Sequence, residues 1–262
     1  MDLGLTGKTA LVTAASKGLG KAAAMELARQ GARVAICARS DRVQSAADEI
    51  REATGAAVLA LRGDVSRQED VDRVVSSAIQ QLGHLDIVVL NAGGPPPGGF
   101  LAFGPRDWEA AIKLTIMSSV YLCYAVVPHM VERGQGCLVA SQSFTVKQPL
   151  DNLILSNALR MAVIGLMKSL ANELGPKGIR VNSINPGLTW TERVEQLLTD
   201  RAERNRTSVA DETARITGDI PLGRMGTVEE YGRAVAWLAS PAASYIHGHA
   251  LSFDGGAVRT AL

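Results

Sequence analysis

The chain of 262 residues carries 27 Lys and Arg against 26 Asp and Glu, a net charge of +1, which gives no electrostatic reason to expect nucleic acid or an acidic lipid surface as a partner. Its three cysteines, Cys37, Cys123 and Cys137, form no Cys-x-x-Cys pair; they read as buried small apolar residues in a reducing compartment, not as a disulfide or metal framework. The opening MDLGLTGKTALVTAAS lacks the basic start and apolar core of a signal peptide, so a soluble, cytoplasmic protein is expected.

Short, nearly continuous apolar runs predict strands at TALVT (9–13), RVAIC (33–37), AVLAL (57–61), DIVVL (86–90), CLVAS (137–141), RVNSI (180–184) and ALSF (250–253). Such runs suit parallel strands covered on both faces. The segments between them are amphipathic, and Gly31, Gly55 and Gly83 fall where helices should stop. Ser66 with Glu69, and Thr227 with Glu230, have the spacing of a capping box. Residues 114–131 carry no formal charge but include Ser118, Ser119, Pro128 and His129; they read as a core helix, with Tyr121 and Tyr124 in the core, and not as a membrane span. Residues 192–219 break the rhythm with a charge-rich stretch between the sixth and seventh strands, expected to be a helical insertion acting as a substrate lid. The alternation predicts a single domain over 1–262, a doubly wound α/β Rossmann-type parallel sheet of about seven strands with right-handed crossovers.

The turn TAASKGLG (13–20) follows the first strand. Backbone N–H groups at a glycine-rich helix N-terminus bind pyrophosphate, helped by the helix dipole. Further landmarks follow in order: GDV (63–65), LNAG (90–93), NPG (185–187) with Thr191, PLGR (221–224) and DGG (254–256). Together they resemble the short-chain dehydrogenase/reductase family, whose signature is T-G-x-x-x-G-x-G. Ala14 stands at that signature's first glycine, where a methyl is tolerable only if φ stays negative.

The resemblance spans the chain and implies a nicotinamide cofactor. Thr13, Ser16, Lys17, Gly18, Leu19 and Gly20 would hold its pyrophosphate. Asp64 and Val65 would meet the adenine, and Asn91, Ala92 and Gly93 would follow the fourth strand along the cofactor. Pro186, Gly187, Leu188 and Thr191 would form the loop that takes the carboxamide. NAD specificity needs a carboxylate at the end of the second strand, but Ala38 is followed by Arg39 and Ser40. Arg39 and Lys17 therefore point to NADP, gripping the 2′-phosphate through charge-assisted hydrogen bonds; the plainer alternative is two solvated surface charges.

Family members usually work with an Asn, a Ser and a Tyr-x-x-x-Lys pair, the Tyr being the general acid/base and the Lys its pKa-lowering, ribose-binding partner. Here the register AVIGL (162–166) puts Ser156 at the Tyr position and Arg160 at the Lys position. Ser143 retains the Ser, and Thr115 takes the Asn position. A serine hydroxyl has no accessible acid near neutral pH. Arg160, at the ribose-binding position, is expected to anchor the cofactor and to stabilise negative charge, but as an always-protonated guanidinium it delivers no proton. Lys147 is the nearest upstream titrating group, unless it is an exposed loop lysine. His247 and His249 lack a third ligand, and no metal is expected.

The leading reading is an NADP(H)-dependent oxidoreductase acting on a small-molecule carbonyl or alcohol through an atypical active site. The alternatives are a non-catalytic NADP-binding protein and a lyase or isomerase on the same fold. By resemblance, a homo-oligomer is expected, a tetramer or a dimer, built on the apolar helices near 108–133 and 157–174.

Overall fold

The computed structural model describes residues 2–260. In chain order its elements are β1 (Thr9–Val12), α1 (Gly18–Arg29), β2 (Arg33–Ala38), α2 (Arg42–Thr54), β3 (Val58–Arg62), α3 (Gln68–Leu82), β4 (Ile87–Leu90) and α4 (Pro105–Ile112). A π-helical turn, Lys113–Met117, leads into α5 (Ser118–Arg133), followed by β5 (Gly136–Ser141), α6 (Ile154–Leu174), β6 (Ile179–Pro186), α7 (Glu192–Asn205), α8 (Val209–Thr217), α9 (Val228–Ala239) and β7 (Ala250–Phe253). All seven predicted strands form, within a residue or two of their expected limits. They pair in parallel in the order β3-β2-β1-β4-β5-β6-β7.

Strand alternation sends side chains to two separate cores. Val12, Val34, Ile36, Val89 and Val139 pack under α1, α2 and α9, whereas Leu11, Ala35, Val88, Leu90 and Leu138 pack under α3, α5 and α6. Leu11, Leu27, Ile36 and Leu138 are fully buried, each contributing roughly 1.5–3 kcal/mol relative to an exposed side chain. Strands covered on both faces have no polar side to display, which explains their unbroken apolar runs. The three cysteines are free and buried, and burial pushes the Cys37 and Cys123 thiols up to about 12.

Gly55 and Gly83 terminate α2 and α3 with positive φ, and Thr227 with Glu230 makes the expected capping box of α9. The Ser66 cap does not form. The helix starts later than the pattern implies, α3 beginning at Gln68 with Arg67 as an uncapped N-cap, and the Ser66 hydroxyl donates to Asp64 Oδ1 at 2.7 Å. Tyr124 is a second correction: it is 77% exposed, because α5 buries only the face carrying Leu122, Cys123, Val126 and Met130. Tyr121 is half-buried against the core beneath that face.

The insertion at 192–219 is a helical pair, α7 and α8. Leu198 and Ala202 bury its inner face. Glu212, only 2% exposed, accepts hydrogen bonds from Asn205, Thr207 and Arg215 and locks the two helices together. Ser208 and Asp211 cap α8 reciprocally.

Candidate active site and nucleotide cleft

The chain leaves β1 toward β2 on one side, while β4 lies on the other. At such a reversal the connections diverge and a crevice opens beyond the carboxyl ends of the strands. A cleft of about 490 Å³ occupies it. It is lined by Ser16 to Gly20, by Ala38, Arg39 and Ser40, by Asp64 and Val65, by Asn91, Ala92 and Gly93, and by Thr191. Those expected cofactor residues thus share one cavity. Thr13, Pro186, Gly187 and Leu188 do not line it; Thr13 is fully buried.

The phosphate turn departs from expectation at Ala14, whose φ is +48° and not negative. The left-handed region costs a non-glycine residue roughly 1–2 kcal/mol. Neighbours hold it there. Ala15 N–H donates to the Cys37 carbonyl at 2.9 Å, and Asn91 Nδ2 donates to the Ala14 carbonyl at 3.3 Å. Asn91 is itself tied to Thr13, whose hydroxyl donates to the Asn91 carbonyl at 2.7 Å and accepts from the Asn91 N–H at 3.0 Å. Ala14→Gly is expected to raise stability by up to about 1 kcal/mol, strain relief being partly offset by glycine's freedom in the unfolded chain. Urea unfolding measures it, and a clear loss of stability would show that Ala14 is unstrained. Gly20 is the tight point of the turn. A Cβ there would stand 2.5 Å from the Ala14 carbonyl oxygen and 2.7 Å from Asn91 Nδ2.

One end of the cleft is basic. Lys17, Arg39 and, unforeseen in the sequence, Arg42 line it together. Arg39 lies 3.9 Å from Asp64, and Lys17 lies 3.9 Å from Glu192. All four side chains reach solvent, and contacts this loose hold the cations only weakly.

Arg160 does not line this cleft but a smaller cavity that shares Asn91, Ala92 and Gly93 with it. The Arg160 Nε donates to Ser156 Oγ at 3.1 Å and its Nη1 to the Gln142 carbonyl at 3.1 Å. The i,i+4 spacing puts Ser156 and Arg160 on one face of α6, as expected. Since Ser156 Oγ accepts from Arg160, its own hydrogen remains available for a ligand. Desolvation, reinforced by the like charge of Arg193, lowers the Arg160 pKa to about 10. The group stays cationic at neutral pH all the same.

Thr115 sits in the π turn, a distortion frequent at functional sites. With Arg160, Gln142, Ser118 and Asn91 it lines a cavity of about 10 Å³, the size of one water. Among the described residues, Thr115 Oγ1, Gln142 Oε1, Thr145 Oγ1 and both polar atoms of the Asn185 side chain are buried without a hydrogen-bond partner. Unpartnered groups of this kind are uncommon in folded proteins, and several here border the candidate site.

Ser143 is half-buried and its Oγ accepts from Thr145 N–H at 3.2 Å; Lys147 is half-buried at the end of the same turn. Neither lines the cleft. Tyr231 on α9 is fully buried and donates to Ser141 Oγ at 2.8 Å. Burial pushes its phenol up to about 12, so it supports β5 and is a poor proton donor near neutral pH. His247 has both ring nitrogens engaged, Nδ1 accepting from Val181 N–H and Nε2 lying 2.8 Å from the Ala171 carbonyl.

The loop after β4 is fastened at both ends. Gly98 N–H donates to the Asn152 carbonyl at 2.6 Å and the Gly98 carbonyl accepts from Ile154 N–H at 3.3 Å, which ties the Pro95-Pro96-Pro97 strap to the entry of α6.

Comparison with known proteins agrees with this architecture. The family model described as enoyl-(acyl carrier protein) reductase matches residues 13–258. Oxidoreductase UcpA of Salmonella typhimurium is 36% identical over 253 residues, covering 96% of this chain and 95% of that protein. L-sorbose reductase from Gluconobacter frateurii, solved with NADPH and L-sorbose, superposes with a TM-score of 0.96 at 33% identity, covering 99% of this chain and all of that one. An NADPH-bound short-chain oxidoreductase from Pseudomonas aeruginosa, with an atypical catalytic centre, superposes with a TM-score of 0.89 at 31% identity over 97% and 98% of the two chains. The extent of these matches, with the sheet order and the cleft at its switch point, places the chain in the short-chain dehydrogenase/reductase family.

Proposed function

We propose that the protein is an NADP(H)-dependent oxidoreductase acting on a small carbonyl or alcohol substrate. The observation that carries the reading is the single cleft joining the glycine turn, the basic Lys17–Arg39–Arg42 end and the Asn91–Gly94 segment. NADP fits these residues. Gly20 keeps open a cradle that a Cβ would fill, helix α1 aims its N-terminus at the cleft, and no carboxylate stands at 38–40 to repel a 2′-phosphate.

When bound, the cofactor supplies or accepts hydride. The protein's part is to receive the charge that builds on the substrate oxygen. Ser156 donates its free hydrogen to that oxygen, and Arg160 stabilises the charge through Ser156. Ser143, at the family's serine position, orients the substrate. Thr115 marks the place where the family carries Asn, and its unpartnered hydroxyl faces the same small cavity as Arg160. Arg160 keeps its proton at neutral pH, so the proton comes from water, from the substrate or from Lys147. The α7–α8 pair closes over the substrate side as a lid, and the exposed apolar faces of α5 and α6, with Tyr124 and Met161, pair protomers into a homo-oligomer.

The test is twofold. NADPH is expected to bind, followed by its fluorescence, and a panel of ketones, aldehydes, enones and quinones is expected to contain compounds that oxidise it above background. Tight NADPH binding with no oxidation by any of them would end the oxidoreductase reading and leave a nucleotide-binding protein, or a lyase or isomerase that stabilises an oxyanion without hydride transfer.

A further inference from the structure

The chain beyond β7 reaches back to two segments far from it in sequence. Asp254 shapes the turn that sends it there, its Oδ1 accepting from Gly256 N–H at 3.0 Å and its Oδ2 from Val258 N–H at 2.9 Å. The Gly255 carbonyl accepts from Leu222 N–H at 3.2 Å, which seats the turn on the stretch leaving α8. Arg259 then makes two bonds. Its backbone N–H donates to Gln148 Oε1 at 3.2 Å, and its Nη2 donates to Asp219 Oδ1 at 3.0 Å. Gln148 belongs to the turn that begins at Ser143, where its N–H donates to the Phe144 carbonyl at 3.3 Å. Asp219 stands two residues past α8, at the far end of the helical pair whose near end, Thr191 to Arg193, lines the nucleotide cleft. One residue therefore joins the far end of that pair to the Ser143 turn.

We propose that Arg259 is a positioning residue: it latches the far end of the α7–α8 pair to the Ser143 turn, so that the two walls of the substrate side loosen and tighten together. Its effect on turnover rests on the oxidoreductase reading; the coupling of the two walls does not. The burial of the contacts decides what moves. Glu212 is buried and accepts from Asn205, Thr207 and Arg215, which makes α7 and α8 one body. Asp219 and Arg259 meet instead with side chains 89% and 72% exposed, and an exposed ion pair shifts an equilibrium by no more than about fivefold. A tie that weak opens readily, as a segment that admits substrate must. The ion pair and the Gln148 bond converge on one residue, so breaking either one leaves a segment that no longer holds both walls, and neighbouring contacts of this kind act as a unit.

The test is hydrogen exchange, read by mass spectrometry on the protein without ligand, in residues 144–148 and 209–222. Arg259→Ala removes only the bond to Asp219, and Gln148→Ala only the bond to the Arg259 N–H; each is expected to raise exchange in both segments by about threefold. Arg259→Lys and Gln148→Glu retain the cation and the acceptor and are expected to exchange as the wild type does. With a substrate from the carbonyl panel, Arg259→Ala is expected to raise KM about threefold and to leave kcat level or higher, and Arg259→Lys to restore KM. Loosening confined to the segment that lost its contact, or no change in either, overturns the coupling and makes both bonds ordinary surface contacts. Coupled loosening with an unchanged KM overturns the positioning role. If no panel compound oxidises NADPH, the oxidoreductase reading and the latch's part in turnover fall together, while the exchange result still decides the coupling.

Discussion

Arg160→Ala is expected to lower kcat/KM for any substrate turned over by about 10²–10³-fold, while the melting temperature stays level or rises. The loss has the size seen when one donor to a developing oxyanion is removed. Arg160 also orients Ser156 through the 3.1 Å Nε bond, so both groups fail together. Stability moves the other way because desolvation is the largest influence on Arg160 and pulls its pKa down to about 10. A cation pulled down in the folded state opposes folding while it is charged. Above about 10 the folded protein gives up this proton before the unfolded chain does, so wild-type stability rises with pH from there until the unfolded chain loses it too. Activity runs opposite, falling as pH climbs through about 10 and the charge is lost. Circular-dichroism melts and a pH–rate profile measure both. A large fall in melting temperature for Arg160→Ala would make the arginine a structural residue.

Arg39→Asp is expected to weaken NADPH binding by roughly 100-fold and to change NADH affinity little, so the cofactor preference narrows or inverts. One charge-assisted hydrogen bond to the 2′-phosphate accounts for about 1.5–3 kcal/mol, and the new carboxylate adds repulsion. Asp64 sharpens the effect: now 3.9 Å from Arg39, it would face a second acid beside the phosphate. Fluorescence titration with both nucleotides decides the matter. Equal NADPH affinity in wild type and variant would return Arg39 to the status of a solvated charge and leave Lys17 and Arg42 to explain any preference.

What the sequence disclosed followed from how local each signal is. Strands buried on both faces announce themselves as apolar runs, and all seven appeared near their expected positions. That the glycine turn, Asp64, Val65 and Asn91 line one cleft was legible because each follows a strand end, where such a crevice opens. Ser66 was misread because the capping pattern does not reveal that Asp64, two residues earlier, draws the Ser66 N–H and hydroxyl into a local turn and that the helix starts only at Gln68. The cap of α8 by Ser208 and Asp211 was equally local and was passed over within the charge-rich stretch. Tyr124 was misplaced because an uncharged helix has no polar face to show which side meets solvent. Ala14 kept the left-handed turn against its own preference, since hydrogen bonds from Asn91 and to Cys37 hold it. Arg42 and Arg193 carried no sequence signal, because each acquires its meaning from residues far along the chain.

The two ends of the β4 loop have a kinetic consequence. Asn91 grips the phosphate turn at Ala14 and Thr13, and Gly98, on the far side of three prolines, grips the entry of the helix bearing Ser156. A stiff strap fixed in this way transmits what happens at one anchor to the other. On the proposed function, a nucleotide that settles the turn would also set the wall against which the second reactant must fit. Read as a sequence of events, this connectivity favours compulsory order, with nucleotide arriving first and leaving last.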